Sequence, residues 1–428
     1  MRRNSGIIVA LGLLLFIAYP FLRSRQQVLT PIRGRRLPPH RPGMLLLAVD
    51  GEMSQRAFQE VLDRWRLSRV ASYPPIGAFL LRHRGDTPFE RLLAELRQIP
   101  HVRFVSPDHL CKPAFLLVGP PRREWAGGAT PEDPFPVVTL PLRSTIPVAL
   151  LSSPIDLEHP ALQGLRWLNA GEDPDHDGYA TLRDLNGLDD DGNGFIDDLF
   201  GWNFVTRAPA LEGWTFTEPS GLLAGTVMGG LLSAGFAHDV GERLRWMPLT
   251  VFAYDPDSRH VECSDSTVVP AILYAVERGA RIVVGGWTPQ GRMSPALQAV
   301  FRAAPDLLFV LPAVTDGIAR LEGSENLLLV AALDASGERA RYVRTNAFDL
   351  AAPGDGVVAP VAGGGYAPCS GNGVAALHVA RAAVLLASLA PDLSAAALRR
   401  LLVESAAPLP GGGRRLDLRQ ALSNLPSP

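Results

Sequence analysis

Short apolar runs alternate with amphipathic ones between residues 43 and 112. "MLLLAV" predicts a strand, and "SQRAFQEVLDRW" spaces its apolar positions as a helix does. "RVASYPPIGAFLLRH" reads as two strands about a Pro-Pro turn, "TPFERLLAELRQI" as a second helix opened by Thr87 and Pro88, and "VRFVSPD" as a last strand. The order β-α-β-β-α-β is that of a split βαβ, ferredoxin-like unit. From residue 146 the pattern changes. "PVALLSS", "MPLTVFAY", "RIVVGGW", "DLLFVLPAV" and "ENLLLVAAL" are continuous apolar strands, separated by helical stretches such as "TVVPAILYAVERGA" and "SPALQAVFRAAP". Uninterrupted apolar strands between helices predict an α/β fold with a parallel sheet covered on both faces. "CSGNGVAALHVARAAVLLAS", residues 369–388, reads as a glycine-rich turn opening a buried helix.

The N-terminus adds a different element. Residues 6–22 are uncharged and apolar, with Arg2 and Arg3 before them and Arg23 and Arg25 after. The run lies at the short edge of a membrane span, and no small-x-small cleavage site follows. It predicts an uncleaved signal anchor over 1–25, with the bulk of the chain outside the cytoplasm; cleavage would instead make the protein secreted. The domain plan is then anchor 1–25, Arg/Pro-rich linker 26–42, a compact unit 43–112, a second Pro/Arg-rich connector 113–145, and an α/β domain 146–428. The linker reads equally as a tether near anionic headgroups or as a solvated one. Composition is ordinary for a globular protein, 47% hydrophobic and 20% charged, and a net charge of -2 gives no push toward nucleic acid. Three cysteines, Cys111, Cys263 and Cys369, allow one pair at most and leave its identity open.

Several blocks together resemble a subtilisin-like serine peptidase carrying its inhibitor-like propeptide. "IPHVRFVSPDHL" is similar to the last propeptide strand, and "VALLSSPIDLEHPAL" to the segment bearing the family's catalytic Asp. "GLDDDGNGFIDDLFGWNFV", "AILYAVERGARIVV", "FDLAAPGDGV", "SGNGVAALHVARAAVLLAS" and "GRRLDLRQAL" match further blocks. Such a peptidase needs a Ser nucleophile, a His base, an Asp to hold the His, and an oxyanion donor. The resemblance puts the Asp on Ser152, the His on Pro219 (on Ser220 with a one-residue gap), the oxyanion Asn on Thr315 and the nucleophile on Gly373. All four positions are substituted, which implies a catalytically inactive pseudopeptidase. The groove would remain, with Gly285, Gly286 and Trp287 as candidate lining. Without self-cleavage the unit 43–112 would stay attached and docked in cis. A binding, scaffold or regulatory role toward an unknown protein or peptide partner follows. Two alternatives are relocated chemistry through Cys369, paired with His378, and a purely structural envelope protein. The resemblance gives His378 and His159 structural roles.

Metal-ligand spacing is the clearest intact signal. "DPDHDGYATLRD" sets Asp173, Asp175 and Asp177 at alternating positions, then Gly178, a carbonyl at Tyr179, and Asp184 at the twelfth position, which is the spacing of a calcium loop. In "DDDGNGFIDD", Asp189, Asp191, Asn193, Phe195 and Asp197 fit positions one to nine; Phe200 stands at the twelfth, and Asp198 is the substitute. Calcium held there would be structural.

Overall fold

The computed structural model describes residues 39–117, 144–162, 167–176, 178, 183–210, 224–234, 244–255, 260–313 and 325–426. The expected anchor and most of the linker lie outside them. The first layer follows the sequence pattern: β1 (His40–Val49), α1 (Gln55–Arg64), β2 (Leu67–Tyr73), β3 (Ala78–His83), α2 (Phe89–Leu96) and β4 (Val102–Pro113). Helix α1 starts where Ser54 caps it, the Ser54 hydroxyl accepting from the Ala57 N–H at 3.1 Å. Pro74–Ile76 form the tight turn between β2 and β3, and Gly77 closes it at φ 60°. The strands pair antiparallel in the order β4-β1-β3-β2. One boundary shifts: β1 begins at His40, inside the segment read as linker, because His40 pairs with His109 and stacks on Phe89 at 5.2 Å.

The second layer contains β6 (Ile146–Ser152), after the two-residue β5 (Leu116–Leu117). There follow β7 (Trp202–Asn203), β8 (Ala208–Pro209), α3 (Ala224–Ser233), β9 (Leu244–Thr250), β10 (Ala253–Asp255), β11 (His260–Ser264) and α4 (Asp265–Glu277). Next come β12 (Ile282–Gly285), β13 (Trp287–Pro289), α5 (Pro295–Ala303), β14 (Leu308–Pro312) and β15 (Leu327–Leu333). The chain closes with β16 (Leu350–Pro353), β17 (Val357–Val361), β18 (Gly365–Ser370), α6 (Asn372–Leu389), α7 (Ala395–Glu404), β19 (Ala407–Pro408), β20 (Arg414–Arg415) and α8 (Leu418–Ser423). The central strands β16-β15-β14-β12-β6-β9 are parallel, as the apolar runs predict. Helix α6 lies against this sheet with residues 373–388 all buried. It is the one helix among the described residues long and apolar enough to cross a membrane, and it is a core helix.

Strand β4 joins the two layers. Beyond its partner β1 it pairs with β11, through Cys111 and Leu110, and with β13, through residues 111–113. Cys111 and Cys263 are disulfide-bonded, and Cys369 is free and buried. Asp108 on β4 is fully buried and takes the N–H and hydroxyl of Ser266, both at 2.8 Å, in the first turn of α4. A carboxylate placed there satisfies free helix N–H groups and meets the positive end of the helix. The disulfide spans 152 residues of sequence, a long loop in the unfolded chain. Cys111→Ser or Cys263→Ser should lower the unfolding free energy by about 2–5 kcal/mol. Melting of the oxidised variants against the parent checks this; equal midpoints would show that the bridge does not brace the layers.

Candidate functional site

The site forms at the carboxyl ends of β6, β12 and β14, where open parallel sheets place their ligands. Helix α6 opens there. Asn372 fixes its start, donating to the Ala313 carbonyl at 2.7 Å and accepting the Ala332 N–H at 2.9 Å. Gly371, at φ 147°, and Gly373 let another backbone come close: a Cβ on Gly371 would fall 2.3 Å from the Ala114 oxygen.

That other backbone is the chain's own. Residues 111–113 pair antiparallel with β13, Lys112 opposite Thr288 and Pro113 opposite Trp287. The Ala114 N–H donates to the Gly286 carbonyl at 2.9 Å, and the Ala114 carbonyl accepts the Gly373 N–H at 3.2 Å. Leu116 and Leu117 then pair with Ser370 and Cys369 of β18. The Ala114–Phe115 peptide therefore crosses the helix start at Gly373, the position the resemblance gives to the nucleophile. A Cβ on Gly373 would lie 2.6 Å from Phe115 Cε2 and 2.7 Å from Cζ. The segment read as a Pro/Arg-rich connector begins as strand.

The structure sorts the sequence candidates. Gly286 touches the strap through its carbonyl, and Trp287 pairs with it through its backbone, while the Trp287 side chain is buried in the core instead of lining the groove. A Cβ on Gly285 would meet Leu311 and the Trp287 ring, away from the strap. Ser152 is buried at the end of β6, its hydroxyl donating to the Ser153 carbonyl at 2.7 Å. Pro219, Ser220 and Thr315 fall outside the described residues. His159 is buried, with Nδ1 accepting the Ala161 N–H at 3.1 Å, so Nε2 donates to the Gly365 carbonyl at 3.1 Å. That is a structural histidine, as is His378, buried in α6 beside Arg381. The Ser370 hydroxyl donates to Asp355 at 2.7 Å and accepts the Gly356 N–H at 2.9 Å. Burial pushes the Cys369 thiol up to about 12, the opposite of what a thiolate nucleophile needs.

The acidic loops group differently from their spacing. Asp173, Asp175 and Asp184 bring ligand oxygens within 4.8 Å of one another, as the first loop predicts; Asp177 and Tyr179 are outside the described residues. Asp173 Oδ2 accepts the Gly178 N–H at 2.9 Å, and its Oδ1 is buried without a hydrogen-bond partner. In the second loop Asp191 and Asp198, the substitute for the twelfth position, enter a cluster with Glu172, a residue the spacing does not single out. Asp189 and Asp197 are turned to loop N–H groups: Asp189 to Asn193 and Gly194, Asp197 to Asn186 and Gly187. The Asn193 amide nitrogen donates to Asp198, and the Phe195 ring packs on Trp202 and Tyr274. Glu172 is fully buried with Oε2 unpartnered; burial, then Asp198, Asp191 and Asp190, push its carboxyl up to about 7. Burial also raises Asp198, which accepts the Tyr274 hydroxyl at 2.5 Å. Glu172, Asp198, Asp173 and Asp184 are buried beside the more exposed Asp191 and Asp175, and Arg278 pairs with Asp191. Carboxylates this close repel, and an oxygen-seeking divalent cation would balance the rest.

This arrangement, a parallel α/β sheet whose long buried helix opens under a segment of the chain's own backbone, defines the subtilisin-like class of fold. Residues 222–422 match the subtilase family model of peptidases S8. It is 24% identical over 300 residues to subtilisin-like protease 1 of Plasmodium berghei, across 61% of this chain and 46% of that protein. To the Plasmodium falciparum (isolate 3D7) protein of the same name it is 25% identical over 305 residues, across 61% of this chain and 40% of that protein. The chain thus spans less than half the length of these relatives. The fold is similar to that of fervidolysin from Fervidobacterium pennivorans, described as a keratinolytic enzyme related to subtilisin. The TM-score is 0.64 at 16% identity, over 93% of this chain and 63% of that one.

Two measurements follow from the site. Chelation of divalent cations should lower the melting temperature by several degrees, readdition of calcium should restore it, and Asp184→Asn should shrink the difference. A melt indifferent to chelator removes the metal. Cys369 should resist iodoacetamide at pH 8 in the folded protein and react once unfolded; rapid alkylation of the native chain would put a reactive thiol in play.

Proposed function

We propose that this chain is a subtilisin-like pseudopeptidase whose groove binds extended peptide and does not cleave it. The observation that carries this reading is Gly373: its N–H holds the Ala114 carbonyl at 3.2 Å, where an oxyanion donor acts, and it has no side chain to attack that carbonyl. Ser152 at the Asp position and Pro219 at the His position support the same reading, since losing the whole set removes both nucleophile and base. Relocation to Cys369 is disfavoured by its burial and raised pKa.

On this reading the β1–β4 layer is a propeptide-like domain that stays docked on its own chain, held by the β13 pairing, Asp108 and the disulfide. Calcium is structural in the acidic loops. Segment 1–25 anchors the protein, and the remainder works outside the cytoplasm, a location that suits a disulfide. A protein or peptide partner, and no nucleic acid, completes the proposal.

A fluorophosphonate probe and intact mass test it together. The full-length protein, incubated with calcium, should remain a single chain and take up no label. Labelling of any serine, or self-cleavage between residues 112 and 145, would overturn the assignment.

A further inference from the structure

The ring of Phe115 occupies space that a catalytic side chain would need, and two separate elements make that space. A Cβ on Gly373, in α6, would fall 2.6 Å from Phe115 Cε2; a Cβ on Gly286, between β12 and β13, would fall 3.0 Å from the same atom. A contact of 2.6 Å is closer than real Cβ atoms come and one of 3.0 Å is tight, so a side chain at 373 and a ring at 115 compete for one volume. The surroundings are apolar. Phe115 packs against the buried cluster that includes Met228 and Val374, and the Met228 sulfur sits 2.6 Å from the position of a Gly286 Cβ. A thioether beside an aromatic ring is a favourable contact. The backbone groups on either side, the Gly286 carbonyl and the Gly373 N–H, fix the preceding residue, so the ring enters in one register.

We propose that the volume vacated at position 373 is an aromatic-binding subsite. It takes the phenyl ring of Phe115 in cis, and its ligand class is an extended peptide carrying an aromatic side chain directly after a small residue. The inference rests on reading the groove as a peptide-binding site, and it names what that site selects. Gly373 is then a specificity-determining residue: the change that removes a nucleophile also opens the pocket. Cys111, bonded to Cys263, lies four residues before Phe115 and holds the cis ring at high effective concentration, which keeps the pocket closed to a peptide in trans.

Two experiments on the full-length chain decide it, and neither reads catalysis. In the first, Phe115→Ala melts below the parent, and benzyl alcohol recovers much of the loss while leaving the parent unchanged. An emptied apolar pocket binds a small aromatic that fits it. Recovery by cyclohexylmethanol to the same extent, or no recovery, would overturn aromatic selectivity. In the second, Gly373→Ser drives the ring out, and chymotrypsin cuts the Phe115–Leu116 bond about tenfold faster than in the parent, as crowding of this kind predicts. An unchanged cutting rate, read by mass spectrometry, would overturn the competition between ring and side chain. Failure of both leaves a chain unlabelled by fluorophosphonate still a pseudopeptidase; labelling alone would sink the broader reading and not the pocket.

Discussion

A backbone segment laid between two strand edges satisfies its hydrogen bonds on both sides, and residues 111–117 do this across the carboxyl ends of the central sheet. On one side they extend β13, on the other β18, with Ala114 hung between Gly286 and Gly373. Each such bond contributes about 0.5–1.5 kcal/mol net, so no single one holds the segment. The set does, because β4 is also the partner of β1, the partner of β11 and the carrier of Cys111 and Asp108. To lift the strap, the molecule must break the β13 ladder, pull a buried carboxylate from a helix start, and leave the disulfide as a hinge. The N-terminal layer and the groove are therefore one mechanical unit.

Close approach explains the glycines at the helix start. Gly371 and Gly373 have the strap oxygen and ring where side chains would project. A helix start with free N–H groups suits an anion or a polarised carbonyl, and a neutral amide carbonyl fills that role without charge. On the proposed reading, the site has moved from stabilising a charge that develops during reaction to holding a carbonyl that does not react.

The sequence carried the periodic parts well. Strands of four to seven apolar residues and the run 372–389 announce themselves because their neighbours in sequence share one environment. It did not carry β5, since two residues have no period, or the docking of Phe115, which reads as one aromatic in a Pro-rich connector. Cys111 and Cys263 were visible as residues and not as a pair, because their meeting depends on β4 reaching β11 across the layer boundary. Glu172 was missed beside Asp173 for the same reason: a linear calcium pattern cannot see a carboxylate delivered from outside its twelve positions. Its burial with an unpartnered oxygen is a tertiary fact.

Side chains and backbone divide the labour at this site in a way that makes the proposed function coherent. The groups that attack and shuttle protons in such peptidases are side chains, and at 152, 219 and 373, the positions the resemblance assigns to them, this chain has Ser, Pro and Gly. The groups that hold residues 111–117 are the Gly373 N–H, the Gly286 carbonyl and the edges of β13 and β18, all of them backbone, and on the proposed reading they would hold an extended peptide the same way. Substitution can therefore erase the chemistry without loosening the grip. Restoring Ser at 373 alone would return a hydroxyl without a base and set it against the Phe115 ring, so the peptide-holding state and the cleaving state differ by several residues acting together.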